Sequence, residues 1–151
     1  MMKNFKQKQP SSGGKDLKLT TPNVSEYMTK KLITFTTDTP INDAIDTLLK
    51  NRITGAPVLD KNGDVAGLID DKDCLKVIFS SAYYNHPVGK ETVKDYMSNV
   101  MRTITIDSDL MDAANIFVTS PFKRLLVKDK NGKLAGMISR RDVLRAIKEL
   151  N

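Results

Sequence analysis

The residues with the most chemical potential stand close together near the end of the chain. They are Gly136-Met137-Ile138-Ser139-Arg140-Arg141-Asp142, a glycine leading out of a strand into a serine three residues before an aspartate. At a helix start this spacing has a purely structural use: the serine caps free amides, and the acid at the third position complements the helix dipole. The same frame occurs earlier as Gly67-Leu68-Ile69-Asp70-Asp71-Lys72-Asp73, with Asp70 in place of the serine. Neither copy supplies bond-breaking chemistry. The single histidine, His86, precedes a proline and has no second histidine or nearby cysteine to complete a triad or a metal site, so it reads as a loop residue. No Gly-x-x-x-x-Gly-Lys-Ser/Thr loop cradles a triphosphate, and the paired acids of a hydrolase are missing. Cys74 falls on the apolar side of its helix, where a buried small hydrophobe is expected rather than a reactive thiol. Binding, not catalysis, is the chemistry these residues suit, and no cofactor or metal is called for.

The elements that must position this frame are duplicated. Val24 to Ile78 aligns without a gap onto Val93 to Ile147, with about a third of the paired positions identical. Tyr27-Met28 returns as Tyr96-Met97, Asp43-Ala44 as Asp112-Ala113, and Asp60-Lys61-Asn62-Gly63 as Asp129-Lys130-Asn131-Gly132. A unit of about 60 residues buries only about 60% of its unfolded surface, so two such units gain most by packing face to face. A pseudo-twofold interface with two equivalent clefts follows.

Within the first repeat, Ile33-Thr34-Phe35 alternates as a short strand does. Thr39-Pro40 then opens a helix, with threonine as the cap and proline at the first helical position. Ile41, Ala44, Ile45, Leu48 and Leu49 form one buried stripe, repeated by Leu110, Ala113, Ala114, Phe117 and Val118. Ala56-Pro57-Val58-Leu59 and Val65 to Ile69 read as two strands joined by a tight hairpin at Asn62-Gly63. Lys72 to Ser80 continues as a helix with Leu75, Ile78 and Phe79 on one side. The expected fold is therefore α/β, each repeat running strand, helix, strand, strand, helix, with repeats at 23–80 and 93–151 and a connector at 81–92. Tyr27 and Tyr96, recurring at one place, are expected to pack where the repeats meet.

A length of 151 residues with 40% hydrophobic content suits one compact domain. No stretch approaches the roughly 20 apolar residues a membrane span requires, and nothing resembles a secretory leader. With one cysteine, a reducing cytoplasm is the expected location. The net charge of +6 invites a nucleic-acid reading. Five lysines against the single Asp16 fall in residues 1–22, however, so the repeats are close to neutral and the excess belongs to a polar, disordered tail. Nucleic acid is not the expected partner.

Taken together, the Tyr-Met before the first strand, the Thr-Pro or Ser-Asp helix start, Gly55-Ala56-Pro57-Val58-Leu59-Asp60, and the closing Gly-x-x-Ser-x-x-Asp resemble the cystathionine β-synthase (CBS) domain. The resemblance covers nearly everything from Val24 to Ile147, in the tandem arrangement called a Bateman module. It implies binding of an adenosine-containing ligand (AMP, ADP, ATP or S-adenosylmethionine) between the repeats, in a regulatory role. Asp142 would accept hydrogen bonds from both ribose hydroxyls, a role that suits an acceptor-only carboxylate. Ser139 would contact phosphate or ribose, and Arg140 and Arg141 would add charge where helix amides already favour an anion. The adenine would lie against Met28, Thr29, Ile33, Ile53, Thr54 and Gly55, with Met137 and Ile138 from the second repeat. The backbone of Thr54 and Gly55 would read its edge.

The equivalent cleft departs from that pattern. Asp73 remains, beside Lys72, but Asp70 and Asp71 place further carboxylates where phosphate should sit, while Arg102, Lys123 and Arg124 replace Ile33, Thr54 and Gly55. One competent and one weak or repurposed cleft are expected. The resemblance further implies a homodimer built through the helices and an effector protein on another chain. Two rival readings remain: an interaction protein that docks its basic tail on nucleic acid or an acidic partner, and a Mg²⁺-responsive module using Asp70, Asp71 and Asp73.

Overall fold

The computed structural model describes residues 21–83 and 90–150; His86 and nearly all of the basic tail lie outside the described residues. The first repeat comprises β1 (Phe35–Thr36), α1 (Ile41–Asn51), β2 (Gly55–Leu59), β3 (Val65–Asp70) and α2 (Asp71–Tyr83). The second comprises β4 (Thr103–Thr105), α3 (Leu110–Thr119), β5 (Arg124–Lys128), β6 (Leu134–Ser139) and α4 (Arg140–Leu150). A turn of 3₁₀ helix leads into each, at Val24–Glu26 and Val93–Asp95. The strands form two three-stranded sheets, ordered β1-β2-β3 and β4-β5-β6. In each, the first strand runs parallel to the second, which needs the crossover that α1 and α3 provide, and the last two form an antiparallel hairpin.

Several local expectations shift. β1 begins at Phe35 because only Phe35 and Thr36 find partners, Val58 and Leu59, on β2. Thr39 does not cap α1. Its hydroxyl accepts from the Thr36 N–H (3.0 Å) and its carbonyl from the Val93 N–H (2.8 Å), which leaves Pro40 in the cap position and Ile41 as the first helical residue. The hairpin loops span 60–64 and 129–133. Gly63 (φ 84°) and Gly132 (φ 79°) supply the left-handed turn residue, and Asp60 Oδ1 accepts from the Asn62 and Asp64 N–H groups (2.8 and 3.0 Å).

The helical stripes are narrower than their sequences suggest. Ile41, Ala44 and Leu48 are buried but Leu49 is 73% exposed; Leu110, Ala113, Ile116 and Phe117 are buried but Val118 is 83% exposed. On α2 the side carrying Leu75, Ile78 and Phe79 faces outward, and Val77 turns to the core instead. A single three-stranded sheet covers only part of each helix's circumference, so an apolar strip stays open on every one.

The two repeats are held together by exchanged lead segments. Val24 packs in the core of the second repeat, while Val93 and Tyr96 pack in the core of the first. Backbone bonds follow the same exchange: Thr29 and Met137 bond reciprocally (2.9 and 3.1 Å), as do Leu68 and Ser98 (2.8 and 2.9 Å). Gly136 permits this approach, since a Cβ there would lie 2.7 Å from the Thr29 carbonyl oxygen and 2.6 Å from Met28 Sδ. Gly67 does the same for Ser98, at 2.7 Å. Tyr27 and Tyr96 accordingly sit between the repeats, each against the other repeat's core.

Candidate functional site

β6 ends at Ser139 and α4 starts at Arg140, so the frame singled out in the sequence is a strand-to-helix junction. The Ser139 N–H donates to Asp142 Oδ2 (2.9 Å), and the Asp142 N–H donates to Ser139 Oγ (3.2 Å). This is the reciprocal capping arrangement, and it satisfies two amides that a helix start otherwise leaves free. The second carboxylate oxygen, Oδ1, accepts from Arg145 Nη2 (3.2 Å). Arg145 also donates to the Tyr27 carbonyl (3.3 Å) and lies over the Tyr27 ring, 5.5 Å from its centroid. Asp142 is thereby fixed from two sides. Each carboxylate oxygen has lone pairs to spare, so the capping role leaves room for a ligand donor.

Beside Asp142 opens a cavity of about 380 Å³, lined from both repeats. That volume lies within the roughly 300–1,000 Å³ range of small-molecule sites. Of the residues expected there, Asp142, Ser139, Arg141 and Met137 line it from the second repeat, and Thr29, Ile33, Ile53, Thr54 and Gly55 from the first. Three do not. Ile138 points into the sealed core, since alternate strand residues face opposite ways. Met28 packs over Gly136 and the second core. Arg140 turns aside, its Nε donating to the Phe122 carbonyl (3.2 Å).

The edge formed by Thr54 and Gly55 is also not the open backbone expected. The Thr54 carbonyl accepts from the Asp71 N–H (2.8 Å), and its hydroxyl accepts from Arg124 Nη2 (2.9 Å). The Arg124 side chain lies directly over Gly55. Lys31, Leu32, Arg52 and Arg124 complete the lining and were not expected there from the sequence. For Lys31, Leu32 and Arg52, standing within two positions of Ile33 or Ile53 was the available clue; Arg124 was expected only in the other cleft. Lys31, Arg52, Arg124 and Arg141 together oppose one carboxylate, Asp142, so the cleft favours anions. Arg52 adopts φ 54°, ψ 43°, and the amides of Arg52 and Ile53 bond back to Leu49 and Leu48 (3.2 and 3.1 Å). Such a helix end is normally a glycine's place.

The pseudo-equivalent cleft, about 280 Å³, is lined by Leu68, Asp70, Lys72, Asp73, Ser98, Val100 and Met101 on one side and Pro121, Phe122, Lys123 and Arg124 on the other. Asp70 and Asp73 reproduce the reciprocal cap, the Asp70 N–H donating to Asp73 Oδ2 (3.1 Å) and the Asp73 N–H to Asp70 Oδ1 (2.8 Å). Burial first, and then the neighbouring Asp70 charge, raises the Asp73 carboxyl above its ordinary value, against the opposing pull of the Asp70 amide and Lys76. Two expectations are corrected here. Asp71 does not line this cleft; its Oδ1 accepts from the Lys72 N–H (2.8 Å), and it borders a groove between α1 and α2. Arg102 does not line it either, leaving Lys72, Lys123 and Arg124 to face two carboxylates rather than three. Among the described residues no group of three or more metal-ligating side chains comes together. Cys74 packs partly buried against the first core, its thiol pushed up to about 11 by burial and then by Asp73, Asp70 and Asp71.

Comparison with known proteins agrees with the duplicated architecture. The family model of the CBS domain matches residues 24–80 and again 93–149. The chain is 32% identical over 148 residues to the chloroplastic CBS domain-containing protein CBSX1 of Arabidopsis thaliana, covering 82% of this chain and 63% of that protein, so it spans less than two thirds of that relative. The crystal structure of CBSX2 in complex with AMP superposes with a TM-score of 0.73 at 30% identity, covering 85% of this chain and 98% of the other. The CBS domain pair of protein MJ0100, crystallised with 5′-methylthioadenosine and S-adenosyl-L-methionine, reaches a TM-score of 0.73 at 21% identity, covering 87% of this chain and 100% of that one, and shares the fold. No described helix is long and apolar enough to cross a membrane. With both halves matched and the two sheets joined through exchanged lead segments, the chain belongs to the CBS-domain family as a tandem pair.

Proposed function

We propose that the chain is a regulatory sensor that binds an adenosine-containing ligand in the larger cleft and passes the resulting change to a separate effector protein. The observation that carries this reading is the 380 Å³ cavity itself, which both repeats line and which sets a fixed carboxylate, apolar Ile33, Ile53 and Met137, and four cations around one space. The apolar side chains suit a flat base, Asp142 suits a ribose diol, and Lys31, Arg52, Arg124 and Arg141 suit phosphate. AMP in the crystal structure of CBSX2, at 30% identity, supports the same ligand class here. The excess of cations favours AMP, ADP or ATP over S-adenosylmethionine, whose sulfonium adds a positive charge. A ligand touching both repeats stabilises one relative arrangement of them, and an effector with unequal affinity for the two arrangements reads the difference. We further infer a homodimer built on the open apolar strips of the helices, and a reducing compartment such as the cytoplasm.

Calorimetry with AMP, ATP and S-adenosylmethionine tests the assignment. The phosphorylated ligands should bind more tightly than S-adenosylmethionine. Asp142→Ala should weaken nucleotide binding about tenfold to a hundredfold, the worth of a charge-assisted hydrogen bond of about 1.5–3 kcal/mol, whereas Asp73→Ala should do much less. Asp142→Asn keeps an acceptor for the helix cap and isolates the loss of charge from any loss of fold. Equal effects at Asp142 and Asp73 would sink the asymmetry, and no heat with any of the three ligands would sink the sensor.

A further inference from the structure

We propose that Arg124 couples the two clefts, so that an anionic ligand held in one weakens the binding of an anion in the other. This rests on the nucleotide-sensor reading and adds a regulation to it. Arg124 is the residue that the linings of the two cavities share. It opens β5, at the position where the first repeat has Gly55 opening β2. That exchange of arginine for glycine is what lets one side chain cross the pseudo-twofold: a Cβ on Gly55 would lie 2.9 Å from Nη1 and 3.0 Å from Cζ of Arg124. On the larger cleft's side, Nη2 donates to Thr54 Oγ1 (2.9 Å); on the other, Nη1 stands 3.8 Å from Asp70 Oδ2. The side chain is only 14% exposed, so the guanidinium forms a partition between the clefts.

The partition's charge is not equally needed on its two sides. Without it the larger cleft still has Lys31, Arg52 and Arg141 against Asp142. The smaller cleft would have Lys72 and Lys123 against Asp70 and Asp73, with no surplus to attract an anion. A phosphate in the larger cleft that engages the guanidinium takes it from Asp70, and a phosphate in the smaller cleft takes it from Thr54. One planar fork cannot serve both, and by linkage the penalty is the same whichever ligand binds first.

The test uses ATP as the probe and amide NMR signals of the full chain, with Ser139 to Asp142 reporting the larger cleft and Asp70 to Asp73 the smaller. ATP affinity at the smaller cleft is measured in Asp142→Ala, over the ATP range in which the weakened larger cleft is mostly empty by its own signals, and in the wild-type chain, where it is filled. The expected result is about tenfold weaker binding in the wild type, a typical coupling between sites. Introducing Arg124→Lys into both backgrounds, which keeps the charge the smaller cleft needs but cannot bridge as a fork, should abolish the difference. Arg124→Gln, which leaves the smaller cleft no surplus of positive charge, should lose ATP there in both backgrounds. Persistence of the difference without Arg124, or its absence in the wild type, overturns the coupling. ATP binding at the larger cleft with none at the smaller in Asp142→Ala also overturns it while leaving the sensor reading intact. Shifts at neither cleft would end both.

Discussion

At the scale of single residues, the larger cleft is built from side chains that serve the fold and, on the proposed reading, a ligand as well, and Arg52 shows the tension. Its left-handed backbone costs about 1–2 kcal/mol relative to glycine, partly offset by the greater freedom glycine has when unfolded. Arg52→Gly should therefore leave stability unchanged or raise it by up to about 1 kcal/mol, while weakening ATP binding through the lost charge. Melting temperature and calorimetry read the two effects separately; a drop in both would show that the arginine is needed for the turn itself. The smaller cleft offers a second test. Because the Asp73 carboxyl is raised above 3.8, folding favours its protonated form. Its contribution to stability is complete below that value and is lost as the pH rises through the folded one. Asp70→Ser removes a charge that opposes ionisation, so the Asp73 titration followed by carboxyl NMR should move down in pH. An unmoved titration would mean that Asp70 is not acting on it.

At the scale of elements, the decisive feature is the exchange of lead segments. The 3₁₀ turns at Val24–Glu26 and Val93–Asp95 contribute apolar residues to the repeat they do not precede, so neither core is complete alone. Gly136 is the contact point, with both the Thr29 carbonyl and Met28 closer than any Cβ tolerates. Gly136→Ala must push the lead segment off β6. Overpacking of this kind costs about 1–3 kcal/mol, and because Thr29 and Met137 both line the cleft the substitution should also lower nucleotide affinity. Chemical denaturation and calorimetry would show the two losses together. A stability loss with unchanged affinity would detach the lead segment from the site.

At the scale of the whole molecule, each helix pair keeps an open apolar strip. Leu49, Leu75 and Ile78 on α1 and α2, and Met111, Val118 and Leu144 on α3 and α4, are all more than half exposed. Patches of this kind mark association surfaces, and a homodimer would cover them with symmetry. Sedimentation should report a dimer for the full chain and a monomer for the double variant Leu75→Lys, Leu144→Lys. A wild-type monomer at micromolar concentration would remove the dimer from the functional reading. The two repeats within one chain do not depend on that surface, since they are joined through the lead segments instead.

How much of this was legible in the sequence follows from the range of the forces involved. Periodicity, turn residues and the duplication are local or self-referential, so the α/β order and the strand-to-helix junction at Ser139 could be read from residue types and spacing, whereas the walls at Ile33, Ile53 and Met137 followed from the resemblance to the CBS domain. The facing of Leu75 and Val118, the burial of Ile138 and the outward turn of Asp71 and Arg102 could not, because a stripe does not say how much of it one sheet will cover. Nor could the placement of Arg124 over Gly55. Both residues are unremarkable in their own strands, and their relation exists only because folding brings the starts of two distant strands to one axis, where a missing side chain makes room for a long charged one.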